Sequence, residues 1–493
     1  QDIATLGSAK SVLAWDQEVY LPARSIQSRS KQISLLSKLS HDLFVSSDFQ
    51  QCLGQYVDLS TGECSADVSA KDKALLREVY RDWKKATTIP SEFLAEYSHC
   101  CSEATHVWQD ARKKACFDTF KPYLSRLIDF NKKMADYIDS SKATYDVLLD
   151  AYEPGITAAQ IKLLFDPLKT ETVALLNKIQ TRSKTFKTFQ DKRFDCDKQW
   201  AYTLDILKDM GFDFERGRQD KSTHPFTIHM HPSDVRVTTR LNDKDPFEAI
   251  TSTIHEGGHG LYEQGLPEQY FGTPLGESVS LGIHESQSRL WENHVGRSLA
   301  FWESQYAAFA SYFPKELSDI TATDLFEMVN VVQPGPIRVE ADEVSYNLHV
   351  LIRFEIESAL FDGSLQVHQL PEAWNAAYQN YLNVTVQNDA EGVLQDIHWA
   401  GGSFGYFPTY TIGTLMAAQL FDQIETEFPT LNTDIRSNQL LGIKRWLNEH
   451  IHAYGREYMA NELIEKATGK PFSSTYYLNY MKQKYSALYA LQS

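Results

Sequence analysis

One short segment of the chain combines residue types and a spacing that suit a metal ion and a general base. His255, Glu256 and His259 stand in the order His-Glu-Gly-Gly-His. Residues four apart on an α-helix share one face, with Cβ atoms about 6 Å apart. Two imidazoles can therefore bind one tetrahedral metal ion while the glutamate stays free beside it. The segment predicts a pair of zinc ligands with Glu256 as the base.

The residues around this segment predict that it lies on a helix. Asp245 has the type and position of an N-cap, and Pro246 and Glu248 suit the first helical turn. Gly265 and Pro267 supply a stop. We therefore expect the motif two to three turns into a helix.

Two adjacent glycines, Gly257 and Gly258, lie inside this predicted helix. Each glycine in a helix interior costs about 1 kcal/mol relative to alanine. The pair indicates that something approaches the helix backbone closely. A substrate or a packed neighbour would be such a reason.

A catalytic zinc ion needs a third protein ligand and one open position. The next helical pattern, residues 280–296, contains His284 and Glu285. Either residue could be the third ligand by composition alone, and Glu277 and Glu292 remain open as alternatives. A carboxylate from this second helix would complete a site with two histidines and one glutamate.

Composition excludes several classes of protein. The 493 residues include 48 Lys and Arg against 65 Asp and Glu, a net charge of −17, and 42% hydrophobic residues. These values are typical of folded soluble proteins, and the acidic balance argues against nucleic-acid and anionic-membrane partners. No run of 18 apolar residues predicts a membrane span. The six cysteines form no CxxC pair, which in a chain of this length favours a reducing, cytoplasmic compartment.

The pattern of apolar residues predicts a mainly α fold. Spacings of three and four dominate, for example in residues 33–44, 92–104, 120–137 and 160–179. The clearest strand signal is residues 227–241, where alternating residues flank a Pro-Ser-Asp turn and predict a β-hairpin. No repeat or linker divides the chain. We expect a single domain, residues 1–493, with two lobes.

Six motifs in this order resemble the carboxypeptidase Taq-type family of HExxH zinc metallocarboxypeptidases. They are residues 224–226 (His-Pro-Phe), 234–238 (Asp-Val-Arg-Val-Thr), 255–259 (His-Glu-Gly-Gly-His), 284–287 (His-Glu-Ser-Gln), 337–342 (Ile-Arg-Val-Glu-Ala-Asp) and 392–399 (Gly-Val-Leu-Gln-Asp-Ile-His-Trp). The similarity spans nearly the whole chain.

The resemblance implies His255, His259 and Glu285 as metal ligands and Glu256 as catalytic base, which takes the proton of a metal-activated water. It also implies a homodimer that removes single C-terminal residues from peptides with broad specificity. We expect a deep central groove between the two lobes and a small antiparallel hairpin beside the HExxH helix. Zn²⁺ is the expected metal, with Co²⁺ or Mn²⁺ as substitutes.

Peptide hydrolysis passes through an oxyanion, which needs a hydrogen-bond donor besides the metal. His398 is the first candidate, and Tyr406 and Tyr410 follow it closely. Related zinc peptidases use a histidine and a tyrosine from one such segment, and of the two tyrosines we favour Tyr410.

An exopeptidase must also bind the free α-carboxylate of its substrate. Arginine does this best, because its planar guanidinium donates two parallel hydrogen bonds. Arg338 follows a Pro-Gly-Pro break, and the family resemblance points to the same residue. Arg353 is the second candidate.

Other residues are candidates for substrate subsites. The strand 234–241 could pair with the extended backbone of a peptide, with Arg236 on it. Arg236 and Thr238 could instead fix the hairpin. His224 and Asp342 are candidates either for a subsite or for support of the ligating histidines.

Two other functions remain open from the sequence. An oligopeptide endopeptidase or a dipeptidyl carboxypeptidase could use a similar helical scaffold, and it would differ in its requirement for a free C-terminal carboxylate. A peptide-binding protein with a degenerate site is a third reading, although every expected ligand and the base are present.

Overall fold

The structure is a computed structural model that describes residues 1–64 and 67–491. Its described residues are mainly helical, which confirms the predicted fold class. The α-helices are α1 (Asp2–Val19), α2 (Ile26–Phe44), α3 (Ser47–Leu53), α4 (Ala70–Thr88), α5 (Ser91–Lys114), α6 (Phe117–Asp139), α7 (Thr144–Leu149), α8 (Ala158–Gln180), α9 (Cys196–Met210), α10 (Pro246–Gly265), α11 (Leu281–Arg289), α12 (Leu299–Tyr312), α13 (Ala322–Val329), α14 (Glu343–Asp362), α15 (Leu370–Leu382), α16 (Pro408–Glu427), α17 (Leu431–Arg436), α18 (Leu441–His450), α19 (Ala460–Thr468) and α20 (Thr475–Leu488).

A small sheet lies between α9 and α10 in the chain. Its strands are β1 (Gly217–Lys221), β2 (Thr227–His231) and β3 (Asp234–Thr239), in the spatial order β1-β3-β2. β2 and β3 form the predicted antiparallel hairpin. The third strand, β1, was not predicted; it pairs parallel to β3 and makes the sheet mixed.

β1 escaped prediction because its two buried side chains, which point to opposite faces of the sheet, are polar. Gln219 and Asp220 are both buried. The Gln219 amide donates to the Thr203 hydroxyl at 2.9 Å, and Asp220 accepts from the Tyr20 hydroxyl at 2.9 Å. These partners, on α9 and after α1, satisfy groups that would otherwise be costly to bury.

The helix that carries the predicted metal ligands has the predicted ends. The Asp245 carboxylate accepts from the backbone N–H of Phe247 at 3.0 Å, Pro246 is the first helical residue, and α10 ends at Gly265. α10 packs against β3, α9 and α11, and α11 packs against α16. The predicted metal ligands therefore lie on helices that are packed against several other elements.

The paired glycines of α10 are contacted by neighbouring parts of the protein. A side chain on Gly257 would meet Leu207 and Met210 of α9. Gly258 faces the backbone of α11. The structure therefore contains packed neighbours that explain the two glycines.

The second helix of the site changes its winding. α11 continues into a π-helical turn, Leu290–Gly296, which carries Glu292. Such turns are rare and often accompany functional sites. Within the described ranges, none of the helices is both long and apolar enough to cross a lipid bilayer.

Candidate active site

Three side chains from α10 and α11 meet at one point. The ligand atoms of His255, His259 and Glu285 all lie within 4.8 Å of one another. Glu285 Oε2 is 3.7 Å from His255 Nε2 and 3.4 Å from His259 Nε2. Two imidazole nitrogens and one carboxylate oxygen form a donor set typical of a catalytic zinc centre with an open position.

A buried carboxylate fixes the ring of His255 from behind. Glu292 Oε2 lies 2.8 Å from His255 Nδ1, and Glu292 is itself paired with Arg289 and Arg297, each at 3.1 Å. Burial opposes its ionisation, but the two arginines and His255 hold the pKa of Glu292 far below its usual range. Because a carboxylate only accepts, His255 donates to Glu292 from Nδ1. Burial opposes protonation of the ring, but Glu285 and Glu292 raise the pKa of His255, so a metal ion that binds Nε2 must displace any proton there.

His259 is oriented by a longer chain of contacts. Its Nδ1 lies 2.5 Å from His284 Nδ1, and His284 Nε2 lies 2.6 Å from Glu263 Oε1. His229 contacts the other oxygen of Glu263 at 3.1 Å. Glu263 can only accept, so His284 donates to it from Nε2. A metal ion can bind Nε2 of His259 when the proton shared in this contact lies on Nδ1 of His259.

Burial, with His284 next to it, lowers the pKa of His259 to about 4. The imidazole is therefore neutral at pH 7, as a metal ligand must be. Burial would raise the pKa of Glu285, but Arg289 and both histidines hold it far below the usual range. His259 and Glu285 are thus in the protonation states that metal binding requires.

The alternatives for the third ligand point elsewhere. His284 contacts the rear nitrogen of His259, and Glu292 lies behind His255. Glu277 is paired with Arg456 at 3.0 Å. The residues present fit a metal bound by two histidines and one glutamate.

Glu256 is buried beside the donor cluster and is not part of it. Burial raises the pKa of its carboxyl, although His255 and Thr227 oppose this. The Thr227 hydroxyl lies 2.6 Å from Glu256 Oε2. Thr227 was not predicted as a site residue from the sequence. Its position directly after the His-Pro-Phe motif is the signal that could have identified it.

His398, Tyr406 and Tyr410 come together as one aromatic group. His398 Nε2 lies 3.4 Å from the Tyr410 hydroxyl, and the ring of Tyr406 is 5.2 Å from that of His398. α16 brings Tyr410 near the donor cluster, because Gly413 on this helix packs against Glu285. Burial and neighbouring arginines lower the pKa of His398 to about 4, so its ring is neutral at pH 7.

A second buried carboxylate fixes the segment that carries His398. Glu357 on α14 accepts from Trp399 Nε1 at 2.7 Å, from the backbone N–H of Gly405 at 2.9 Å and from the Tyr145 hydroxyl at 2.7 Å. Trp399 and Gly405 belong to one short segment, and Tyr145 lies on α7. Glu357 therefore holds residues 399–405, and the aromatic group with them, in place.

Arg338 and Arg353 share one carboxylate, Asp396. Arg338 donates to Asp396 Oδ1 from Nε at 3.1 Å and from Nη2 at 2.8 Å, and its Nη1 donates to the Tyr346 hydroxyl at 3.2 Å. Its guanidinium lies 5.1 Å from the Tyr410 ring.

Arg353, the second candidate for the substrate carboxylate, is fully buried. It donates to Asp396 Oδ2 at 2.7 Å, to Gln395 Oε1 at 2.8 Å and to the backbone oxygen of His349 at 2.7 Å. Its guanidinium is enclosed by these partners, whereas Arg338 keeps a small exposed fraction, 5%. In this structure Arg353 supports Arg338 through Asp396, and direct binding of substrate by Arg353 stays a prediction from the sequence.

The remaining candidates have separate environments. Arg236 is paired with Asp234 at 2.9 Å, and its guanidinium lies 4.3 Å from the ring of Trp15, so it links the hairpin to α1. His224 is exposed. Asp342 accepts backbone N–H bonds at the start of α14, where it is the N-cap.

The chain is similar to known proteins over nearly its full length. A family model described as carboxypeptidase Taq (M32) metallopeptidase matches residues 1–485. Carboxypeptidase 1 of Bacillus subtilis is 38% identical over 490 residues, which cover 99% of this chain and 97% of that protein. Thermostable carboxypeptidase 1 of Thermus thermophilus is 39% identical over 501 residues, with 99% and 97% coverage.

A solved structure is similar over almost the same length. The M32 carboxypeptidase from Deinococcus radiodurans R1 matches with a TM-score of 0.95 and 37% identity, and the match covers 99% of this chain and 98% of that one. Agreement in sequence and fold over nearly every residue shows that the chain belongs to the M32 (carboxypeptidase Taq) family and is a metallocarboxypeptidase.

Proposed function

We propose that the enzyme is a zinc peptidase that releases single C-terminal residues from peptides with broad specificity. The observation that carries this proposal is the donor cluster of His255, His259 and Glu285, within 4.8 Å. Bound zinc would polarise the scissile carbonyl and make water a better nucleophile at neutral pH. The same donors would also accept Co²⁺ or Mn²⁺.

Glu256 acts as the base in this proposal. Its carboxylate takes a proton from the attacking water and delivers it to the leaving amine. Its burial beside the ligands supports the role, because burial raises the carboxyl pKa toward the range where a base also works as an acid. A carboxylate that ligated the metal would lose this capacity.

His398 and Tyr410 stabilise the developing oxyanion by hydrogen bonding. Both are preorganised, since Glu357 holds the segment after His398 and α16 holds Tyr410. Nδ1 of His398 makes no hydrogen bond to any residue that the structure describes. A neutral imidazole still carries one N–H donor, and the phenol carries another. Tyr406 packs against both rings and is the alternative phenol.

Arg338 binds the free carboxylate of the substrate. Asp396 fixes one edge of its guanidinium, and the position beside Tyr410 supports a role next to the scissile bond. A rigidly held arginine loses little side-chain entropy when it binds a carboxylate. This anchor is what distinguishes a carboxypeptidase from an endopeptidase on a similar scaffold.

The test compares an N-blocked tripeptide with a free C-terminus and its amidated twin, each with and without chelator and added zinc. We expect loss of one residue from the free acid only, abolished by chelator and restored by zinc. Equal cleavage of the amide would favour the endopeptidase, and release of a dipeptide would favour the dipeptidyl carboxypeptidase. Mass spectrometry of the products separates these results.

Three further expectations stay predictions from the sequence. They are assembly as a homodimer, a cytoplasmic location and the organisation of residues 1–493 as one two-lobed domain around a groove. Sedimentation of the purified enzyme over a range of concentrations would test the first.

A further inference from the structure

Thr227 contacts the proposed base directly. Its hydroxyl oxygen lies 2.6 Å from Glu256 Oε2 and 3.1 Å from the backbone oxygen of Glu256. Within residues 1–64 and 67–491, it is the one side chain that hydrogen-bonds this carboxylate. Oε2 of Glu256 is therefore occupied by this hydrogen bond, and Oε1 remains available to accept a proton from the reacting water.

Two sequence motifs that have no role in the proposed mechanism, residues 224–226 and 234–238, fix the position of Thr227. The backbone N–H of Phe226 donates to Thr238 Oγ1 at 2.9 Å, and the Thr238 N–H donates to the Phe226 oxygen at 2.9 Å. Ser222 and Thr238 share a further hydroxyl contact at 2.7 Å. Residues 224–226 and 234–238 are thus joined where β2 begins, and Thr227 is the first residue of that strand.

We propose that Thr227 is a positioning residue that holds the Glu256 carboxylate in the orientation for proton transfer. The inference rests on the proposed role of Glu256 as base. Thr227 transfers no proton: its hydroxyl donates to Oε2 throughout, and the proton from water is received at Oε1. The paired motifs serve this contact by holding the strand end against α10.

The test removes the Thr227 hydroxyl with little change in the size of the side chain. Thr227→Val replaces the hydroxyl by a methyl group of similar size, and Thr227→Ser keeps the hydroxyl. Thr239→Val is the matched control, because Thr239 also hydrogen-bonds α10 from the sheet, to Ala249 at 3.2 Å and Ser252 at 2.9 Å, away from the base. Bound metal per chain and the urea midpoint are measured for every variant.

We expect Thr227→Val to lower kcat about 10- to 100-fold, since small misplacements of a catalytic group cost this much. KM, bound metal and the urea midpoint should stay near the wild-type values. Thr227→Ser should restore most of kcat, and Thr239→Val should leave it near wild type. Thr227→Ala removes the same hydroxyl with less bulk and decides the result if the valine variant does not fold.

Three results would overturn the inference: wild-type kcat in Thr227→Val, an equal loss in Thr227→Ser, or an equal loss in Thr239→Val. Glu256→Gln separates this failure from failure of the proposed function. It should lower kcat at least about 100-fold while the metal stays bound. An active Glu256→Gln variant refutes the base itself, whereas an inactive one beside an active Thr227→Val refutes Thr227 alone.

Discussion

A Cβ atom on Gly258 would lie 2.6 Å from the carbonyl oxygen of Gln287. α10 and α11 therefore touch backbone to backbone, close to where their metal ligands meet. We expect Gly258→Ala to push α11 away, displace Glu285 and destabilise the protein by about 1–3 kcal/mol. Metal affinity, measured against a chelating dye, should fall at least about tenfold.

Gly442→Ala is the control for this change. A Cβ there meets nothing within 4 Å, on α18, so the substitution should be neutral or slightly stabilising. Unchanged metal affinity in Gly258→Ala would show that α11 tolerates the added methyl group.

The carboxylate behind His255 should control metal affinity. Glu292→Gln keeps the size of the side chain but removes the charge that orients the His255 N–H. We expect metal affinity to fall about 10- to 100-fold, the usual effect of losing such a partner. Glu277→Gln, which alters the exposed ion pair with Arg456, should leave the affinity unchanged. Isothermal titration of the metal-free protein measures both.

Arg338 should determine the preference for a free C-terminus. Arg338→Lys keeps the positive charge and loses the planar pair of donors. We expect kcat/KM for the free-acid peptide to fall about 30- to 100-fold, because charged hydrogen bonds are lost. The rate for the amidated peptide should barely change. Arg436→Lys, at an exposed pair with Glu303, is the control, and equal losses on both peptides would contradict the anchor.

A buried histidine outside the donor cluster, His294, should make the protein less stable in acid. Burial lowers the pKa of His294 to about 3, from an ordinary value of 6.5. Between these values the unfolded chain binds a proton that the folded chain excludes. The free energy of unfolding therefore falls as pH drops below 6.5, by up to about 1.4 kcal/mol per pH unit from this group.

The measurement is the urea midpoint between pH 6.5 and 5 in the wild type and in His294→Phe. Phenylalanine keeps a ring packed between Phe421 and Tyr480 and cannot be protonated. The urea midpoint of the variant should change less with pH than that of the wild type, and the difference is the contribution of His294. Parallel curves would show that His294 is solvated or charged in the folded protein.

The sequence predicted α10 well because its signals are local. The cap, the proline, the stop and the spacing of His255 and His259 all lie within one helix. β1 shows the opposite case. Its buried side chains, Gln219 and Asp220, are stabilised by residues distant in the chain, and hydrophobic periodicity cannot reveal such partners.

The arginines show a second limit of sequence reasoning. Residue type correctly indicates that Arg353 binds a carboxylate, but the carboxylate belongs to Asp396, 43 residues further along the chain. Only the packing of α14 against the 392–399 motif distinguishes this internal partner from a substrate. Thr227 was missed for a related reason, since a threonine beside a motif has many possible roles until its acceptor is known.

The residues of the site come from segments far apart in the chain, so they are synthesised at different times. The proposed metal ligands end at position 285, and Tyr410 follows 125 residues later. At about 5–20 residues per second, the ligands leave the ribosome roughly 6–25 s before the last of the groups around the oxyanion. Because α11 packs against α16, the helix that carries Glu285 reaches its final packing only after the segment that carries Tyr410 has been synthesised.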